Sequence, residues 1–186
     1  MRVIGGLYRG RTIRTVSDLS VRPATDRVRQ TIFDMLATRI AIEGASVLDL
    51  FAGSGSLGIE ALSRGAARAT FVESAAGAAA FITRNLRSLG CEDAADVLET
   101  DALALLRPGT GVWDLVFADP PYAYGGTAEI PRMAFEAGIV RRYLLIEHPP
   151  AVAFPAHSAY RTAAVKRFGR THVTFFTPSD RRTNAT

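Results

Sequence analysis

The strongest constraint on this chain is a short apolar run that passes straight into a glycine-rich turn. Ser46–Leu50 is almost wholly apolar, as a strand covered on both faces must be. It leads into Asp49-Leu50-Phe51-Ala52-Gly53-Ser54-Gly55-Ser56-Leu57-Gly58 and a helical stretch to about Ser63. Gly53 and Gly55 permit a tight turn and a close approach of ligand to backbone. A strand, a glycine turn and a helix in that order begin a parallel sheet, and the following residues repeat the alternation. Strand Ala69–Val72 ends at Glu73, and helix Ala76–Leu89 follows. Strand Asp96–Glu99 ends at Thr100-Asp101, and a short helix over Ala102–Leu106 leads to strand Trp113–Ala118. Beyond Gly125-Gly126 come helix Ala128–Ala137 and strand Tyr143–Glu147. Tyr160–Phe168 and Thr171–Phe176 read as an antiparallel pair joined at Gly169-Arg170. The expected fold class is therefore α/β, a doubly wound and mainly parallel twisted sheet with right-handed crossovers and a C-terminal antiparallel hairpin.

Ahead of this core, Arg2–Ile4 and Thr12–Val16 read as short strands around the loop Gly5–Arg11, a small hairpin-like extension. Arg22-Pro23-Ala24-Thr25 opens a helix with Thr25 as N-cap and Asp26 in the first turn. Its apolar stripe is Val28, Ile32, Met35 and Leu36, which leaves Arg22, Arg27 and Arg29 near its positive end, an arrangement suited to anions. The 186 residues form one expected domain: a basic extension over 1–39, a core over 40–178 and a frayed tail over 179–186.

Charge is unevenly placed. Residues 1–39 and 148–186 each carry a net +5, and residues 40–147 carry a net −6. All basic residues except Lys166 are arginine, the side chain suited to bidentate phosphate contacts. Basic ends without a basic amphipathic helix point to nucleic acid rather than to a membrane. No apolar run approaches the ~18 residues of a membrane helix, and the first residues lack a signal-peptide apolar core. Cys91 is the single cysteine, so neither an internal disulfide nor a cysteine metal site is expected, and a reducing cytoplasm is the expected location.

The glycine segment Gly53-x-Gly55-x-x-Gly58, with Glu73 twenty residues after Gly53, fits a dinucleotide site as well. S-adenosylmethionine fits better. Asp49, Glu73 and Asp101 place carboxylates at the ends of three successive strands, which suits a sulfonium cation and an adenine amino group and suits a pyrophosphate poorly. Strand-end acids can also cap the helix that follows them.

Asp119-Pro120-Pro121-Tyr122 ends the fourth strand. The two prolines lock φ and remove N–H donors, so the turn offers acceptors beside one aromatic ring. Several acceptors and a stacking face suit an amino group on a planar base. Its lone pair is delocalised into the ring, so accepting its N–H bonds in the right geometry is the catalysis required. Cys91 lies far in sequence from this turn, which sets aside a cysteine-dependent C5 methylation.

These residues together resemble the bacterial 16S ribosomal RNA guanine-N2 methyltransferases, over nearly the whole chain. The likeness rests on Arg2-Val3-Ile4-Gly5-Gly6 with Arg9-Gly10-Arg11, on Arg22-Pro23-Ala24-Thr25-Asp26-Arg27-Val28-Arg29, on Asp49 to Gly65, and on Asp119 to Tyr122. Ala24 and Ala75 depart from the family pattern. The resemblance implies a Rossmann-like class I methyltransferase fold and methylation of one guanine in an assembling small ribosomal subunit, by a monomer. The expected cofactor-binding residues are Thr25, Asp49, Phe51, Gly53, Ser54, Gly55, Glu73, Asp101 and Ala102, with no metal. Asp119, Pro120, Pro121 and Tyr122 are the expected catalytic turn, and Arg9, Arg11, Arg22, Arg27, Arg167 and Arg170 the expected RNA contacts. Alternatives are an adenine-N6 methyltransferase, a protein-glutamine methyltransferase with the same turn, a nicotinamide enzyme, or a non-catalytic assembly factor.

Overall fold

A computed structural model describes residues 1–15 and 26–179. The elements in chain order are α1 (Asp26–Ala37), β1 (Ser46–Leu50), α2 (Ser56–Ser63), β2 (Arg68–Glu73), α3 (Ala76–Leu89), β3 (Ala95–Glu99), β4 (Trp113–Ala118), α4 (Ile130–Glu136), β5 (Val140–His148), β6 (Tyr160–Phe168) and β7 (Thr171–Pro178). They build one seven-stranded sheet in the order β3-β2-β1-β4-β5-β7-β6. β1 to β5 run parallel, and β7 is antiparallel to both β5 and β6. The mainly parallel α/β class with an antiparallel hairpin is as read from the sequence.

The sheet is buried on both sides. Val47, Phe71, Leu115, Phe117, Leu145 and Phe175 meet α1, α2 and α3 on one face. Leu48, Leu50, Val116, Ala118, Leu144 and Ile146 meet α4 on the other. Burial of both faces explains why β1 and β4 are continuous apolar runs rather than alternating ones.

Several local expectations shift. The two N-terminal strands reduce to one antiparallel bridge between Arg2 and Thr12, because the loop between them bonds to α2 rather than extending a ladder. Val16, Arg22 and Thr25 lie outside the described residues. The helix expected from Ala128 starts as a 3₁₀ turn over Thr127–Glu129 and becomes α-helical at Ile130, with Pro131 in its first turn where no N–H is required. The segment after Asp101 is 3₁₀ over Ala102–Leu105. β5 begins at Val140 and runs to His148, and β7 reaches Pro178. Ser179 donates its backbone N–H to Ala159, so the expected tail is tied at its first residue, and 180–186 lie outside the described residues.

α1 shows the largest difference. Its buried face is Val28, Arg29, Ile32, Phe33 and Leu36, so Arg29 occupies a position expected to be free for an anion. Arg29 is fully buried and salt-bridged to Glu60, which is also fully buried. The Glu60 carboxylate accepts from the backbone N–H groups of Ile4 and Gly5, at 2.8 Å each, and from Arg64 Nε at 2.8 Å. Arg29 donates to the Arg2 carbonyl and, at 3.0 Å, to Asp26. This pair ties the N-terminal loop, α1 and α2 together.

Candidate functional site

The strand order reverses between β1 and β4, and ligands of open α/β sheets bind beyond the carboxyl ends of the strands at such a point. The loops that follow β1 and β4 are the glycine turn and Asp119-Pro120-Pro121-Tyr122. The topology therefore brings together two motifs that are distant in sequence.

The glycine turn is held from two sides. Gly53 N–H donates to Glu73 Oε2 at 2.8 Å, and Ala75 N–H donates to Glu73 Oε1 at 2.8 Å. Gly58 N–H donates to Asp49 Oδ2 at 2.9 Å, inside the first turn of α2. Asn85 of α3 donates to the Ser54 carbonyl at 3.3 Å and exchanges bonds with the backbone of Arg14. Gly53 and Gly55 have φ of 55° and 76°, and Phe51 adopts φ 57° without being glycine. A non-glycine residue in that region carries strain, and such residues cluster at ligand clamps.

The glycines differ in purpose. A Cβ at Gly55 would lie 3.2 Å from Ile82 and 3.3 Å from Phe71, and one at Gly58 would lie 2.3 Å from Phe71. These two positions therefore let α2 sit close on β2 and α3. Gly58→Ala is expected to destabilise the fold by about 1–3 kcal/mol, because the Phe71 ring is buried and must move. Urea denaturation checks this, and an unchanged midpoint would show that α2 shifts freely.

Asp101 accepts from Leu103 N–H at 2.7 Å, capping the 3₁₀ turn through one oxygen. Glu73 and Asp101 thus both bond to the segment following their strands, and each carboxylate retains acceptor capacity. Ala102 is buried, and Phe51 packs against Tyr124 with ring centroids 5.3 Å apart. An acidic, glycine-lined rim of this kind suits the ammonium, sulfonium and ribose hydroxyls of S-adenosylmethionine.

At the other loop, Pro120 is buried and Tyr122 is 44% exposed. Tyr124 N–H closes the turn on the Pro121 carbonyl at 2.7 Å. The Tyr122 hydroxyl meets the Thr171 hydroxyl, which places the turn beside the β6–β7 hairpin. The exposed residues Arg167 and Arg170 belong to that hairpin. Asp119 is half-buried, and desolvation together with the charges of Glu147 and Asp49 pushes its carboxyl well above the usual range. Burial also raises Asp49, to about 7, despite the bond from Gly58.

The arginines expected to contact RNA divide between two edges. Gly44 and Ala67 pair with Gly65 and Ala45 at the start of β1, so the end of α2 lies at the amino edge of the sheet. The loop with Arg9 and Arg11 bonds to Ser63, and Arg11 donates to the Ser88 carbonyl at 2.6 Å, so it lies at that edge too. Arg167 and Arg170 lie at the opposite, carboxyl edge with the two motifs. Arg27 is exposed in the first turn of α1, whose Arg29 bonds to Arg2 and pairs with Glu60. Glu147 reads in the sequence only as the end of a strand. The same rule that singles out Asp49, Glu73 and Asp101, an acid at a strand's carboxyl end, applies to it.

The chain is similar to known proteins over most of its length. The family model described as Conserved hypothetical protein 95 matches residues 1–177. Ribosomal RNA small subunit methyltransferase D from Escherichia coli (strain K12) is 42% identical over 125 residues, which cover 67% of this chain and 62% of that protein. The chain thus spans less than two thirds of that relative's length. The protein of the same description from Haemophilus influenzae is 39% identical over 127 residues, covering 67% and 65%. The solved structure of Escherichia coli yhhF superposes with a TM-score of 0.83 at 32% identity, covering 96% of this chain and 98% of that one.

Proposed function

The chain belongs to the Conserved hypothetical protein 95 family, and from that premise we propose that it methylates the exocyclic N2 amine of a guanine in 16S ribosomal RNA, with S-adenosylmethionine as donor. The observation that carries this reading is the position of Asp119-Pro120-Pro121-Tyr122 across the sheet's reversal from the Asp49–Gly58 turn. Asp49, Phe51, Gly53, Ser54, Gly55, Glu73, Asp101 and Ala102 would hold the cofactor. When bound, it supplies an electrophilic methyl carbon on a cationic sulfur.

The protein's own groups do the rest. Tyr122 presents a ring on which a base extruded from its stack can rest. Asp119 accepts an N–H bond from the amine, which localises the nitrogen lone pair for attack. The nitrogen would bond the methyl carbon as that carbon leaves sulfur, and the nitrogen sheds one proton, which Asp119 is placed to accept. A carboxyl raised by burial is a better proton acceptor than an exposed one. The two prolines keep the turn from being drawn into a helix. We read the protein as a monomer acting on an assembling small subunit. Lys166 and Arg167 on the outer strand β6 discourage edge pairing with a second copy.

Mass mapping of methylated nucleosides in 16S rRNA from cells with and without this protein tests the reading. One N2-methylguanosine should disappear without it. Loss of an N6-methyladenosine instead would favour the alternative enzyme, and no change would remove the rRNA reading. Calorimetry should show binding of S-adenosylmethionine and none of NADH.

Arg167 and Arg170 are proposed to bind phosphates beside the catalytic turn. The double variant Arg167→Ala/Arg170→Ala should flatten the salt dependence of RNA binding by a slope of about two, because two phosphates are no longer neutralised. Affinity for S-adenosylmethionine should stay the same. A salt slope equal to wild type would make the hairpin ordinary solvated surface.

A further inference from the structure

One buried polar atom at the carboxyl edge lacks a hydrogen-bond partner among the described residues: Oε2 of Glu147, whose residue is only 7% exposed. Strand register fixes its surroundings. Asp49 pairs with Phe117, Phe117 with Leu145, and Glu147 with Val173. Side chains two residues apart share a face, so Asp119 lies on the face of Phe117, and Glu147 on that of Leu145. Asp49, Asp119 and Glu147 therefore lie on one face of the sheet, with Asp119 level with Glu147 and Asp49 one step back along β1. Asp119 feels the charges of both neighbours. Asp49 already accepts a bond from Gly58. Glu147 has no such donor, and a buried carboxylate without one is costly. Among the described residues no His, Cys, Asp and Glu side chains converge in a way that could hold a metal ion. These carboxylates are therefore hydrogen-bond acceptors, and among the described residues only Asp49 has a donor.

We propose that Glu147 is the specificity-determining acceptor for the N1–H of the target guanine, working beside Asp119 on the N2 amine. This inference rests on the reading of the protein as a guanine-N2 methyltransferase and names how the base is chosen. Guanine presents N1–H and the N2 amine side by side, a donor–donor edge. Two carboxylates from adjacent strands match that edge. Adenine has no amine at C2 and carries a lone pair at N1, which would face a buried carboxylate with no proton between them. A site whose buried acceptor is left unpaired by the wrong ligand rejects that ligand strongly. Burial alone raises the Glu147 carboxyl, and an arriving N–H donor favours its ionised form.

The test uses small subunits reconstituted from rRNA that carries either guanosine or 2-aminopurine riboside at the target position found by mass mapping. 2-Aminopurine keeps the amine at C2 but has a lone pair at N1. The wild-type protein should prefer guanosine by about 10²-fold in single-turnover kcat/KM. Glu147→Gln, isosteric and able to donate to a lone pair at N1, should narrow the preference to within about tenfold. Its binding of S-adenosylhomocysteine by calorimetry should match wild type, and its melting temperature should not fall below it. Any contribution of the missing O6 would be the same in both proteins, so only the change in ratio reports on Glu147. Equal use of both substrates by the wild type overturns the inference without any variant. An unchanged ratio in Glu147→Gln overturns it as well. A wild type that methylates no guanine at N2 would instead overturn the reading on which it rests.

Discussion

Asp119→Ala is expected to slow single-turnover methyl transfer to rRNA by a factor on the order of 10²–10³, while affinity for S-adenosylmethionine stays nearly unchanged. The asymmetry follows from where Asp119 acts. In the proposed reaction its carboxylate meets an amine whose nitrogen gains positive character only as the C–N bond forms, so the bond strengthens toward the transition state. Loss of such an interaction lowers the rate at saturating substrate rather than weakening ground-state binding. The proposed cofactor residues Asp49, Glu73 and the glycine turn remain tied by their own bonds to Gly58, Gly53 and Ala75. Tyr122→Phe should be mild, because the ring is kept. The hydroxyl removed meets Thr171 and is not needed for stacking. Rapid-quench kinetics with the RNA substrate checks both variants, and a near-normal rate for Asp119→Ala would make the Pro-Pro segment a turn and nothing more.

The second large effect concerns stability. Glu60→Ala should lower the free energy of unfolding by about 3–5 kcal/mol, because it removes the buried anion of a fully buried guanidinium and leaves only the exposed Asp26 beside it. Arg29 is fully buried, and desolvation already lowers its pKa. The same substitution leaves the backbone N–H groups of Ile4 and Gly5 without their acceptor. Arg68→Ala provides the contrast: its pair with Asp96 is bidentate but about half exposed, at 56% and 44%, and its loss should scarcely move stability. Urea denaturation of the two variants under the same conditions measures the difference. Equal losses would show that the N-terminal loop is held by its other contacts with α2.

Local periodicity and turn chemistry carry most of the fold. Apolar runs bounded by glycine and proline mark β1, β2, β4 and β7 to within a few residues, because those signals act over short distances in the chain. The same locality explains the misplacements. Arg29 falls one step beyond the expected stripe of α1, and helical spacing alone leaves it on a solvent-facing, anion-binding end. Glu60, thirty-one residues later and on another helix, turns that position into a buried ion pair. Gly55 and Gly58 are legible as glycines needed by a turn. That their missing side chains make room for Phe71 and Ile82 depends on how α2 and α3 settle on β2.

Charge shows the same division. Composition groups Arg9 and Arg11 with Arg167 and Arg170 as one basic character at the ends of the chain. A parallel sheet has two distinct edges, and the crossovers that follow β1 and β2 carry the ends of α2 and α3 back to the amino edge, taking the Arg9 loop with them. The antiparallel return of β7 beside β5 carries Arg170 to the carboxyl edge, next to Tyr122. Glu147 gains its significance from its register beside Asp119 and its unpartnered oxygen, neither of which a strand pattern contains. The elements, the glycine turn and the acceptor-rich Pro-Pro turn are written in the residue order, since each depends on neighbours within a few residues. Which charges are buried, which edge each arginine occupies and which carboxylates share one face are settled by the folded arrangement alone, since those depend on pairings between segments far apart in the chain.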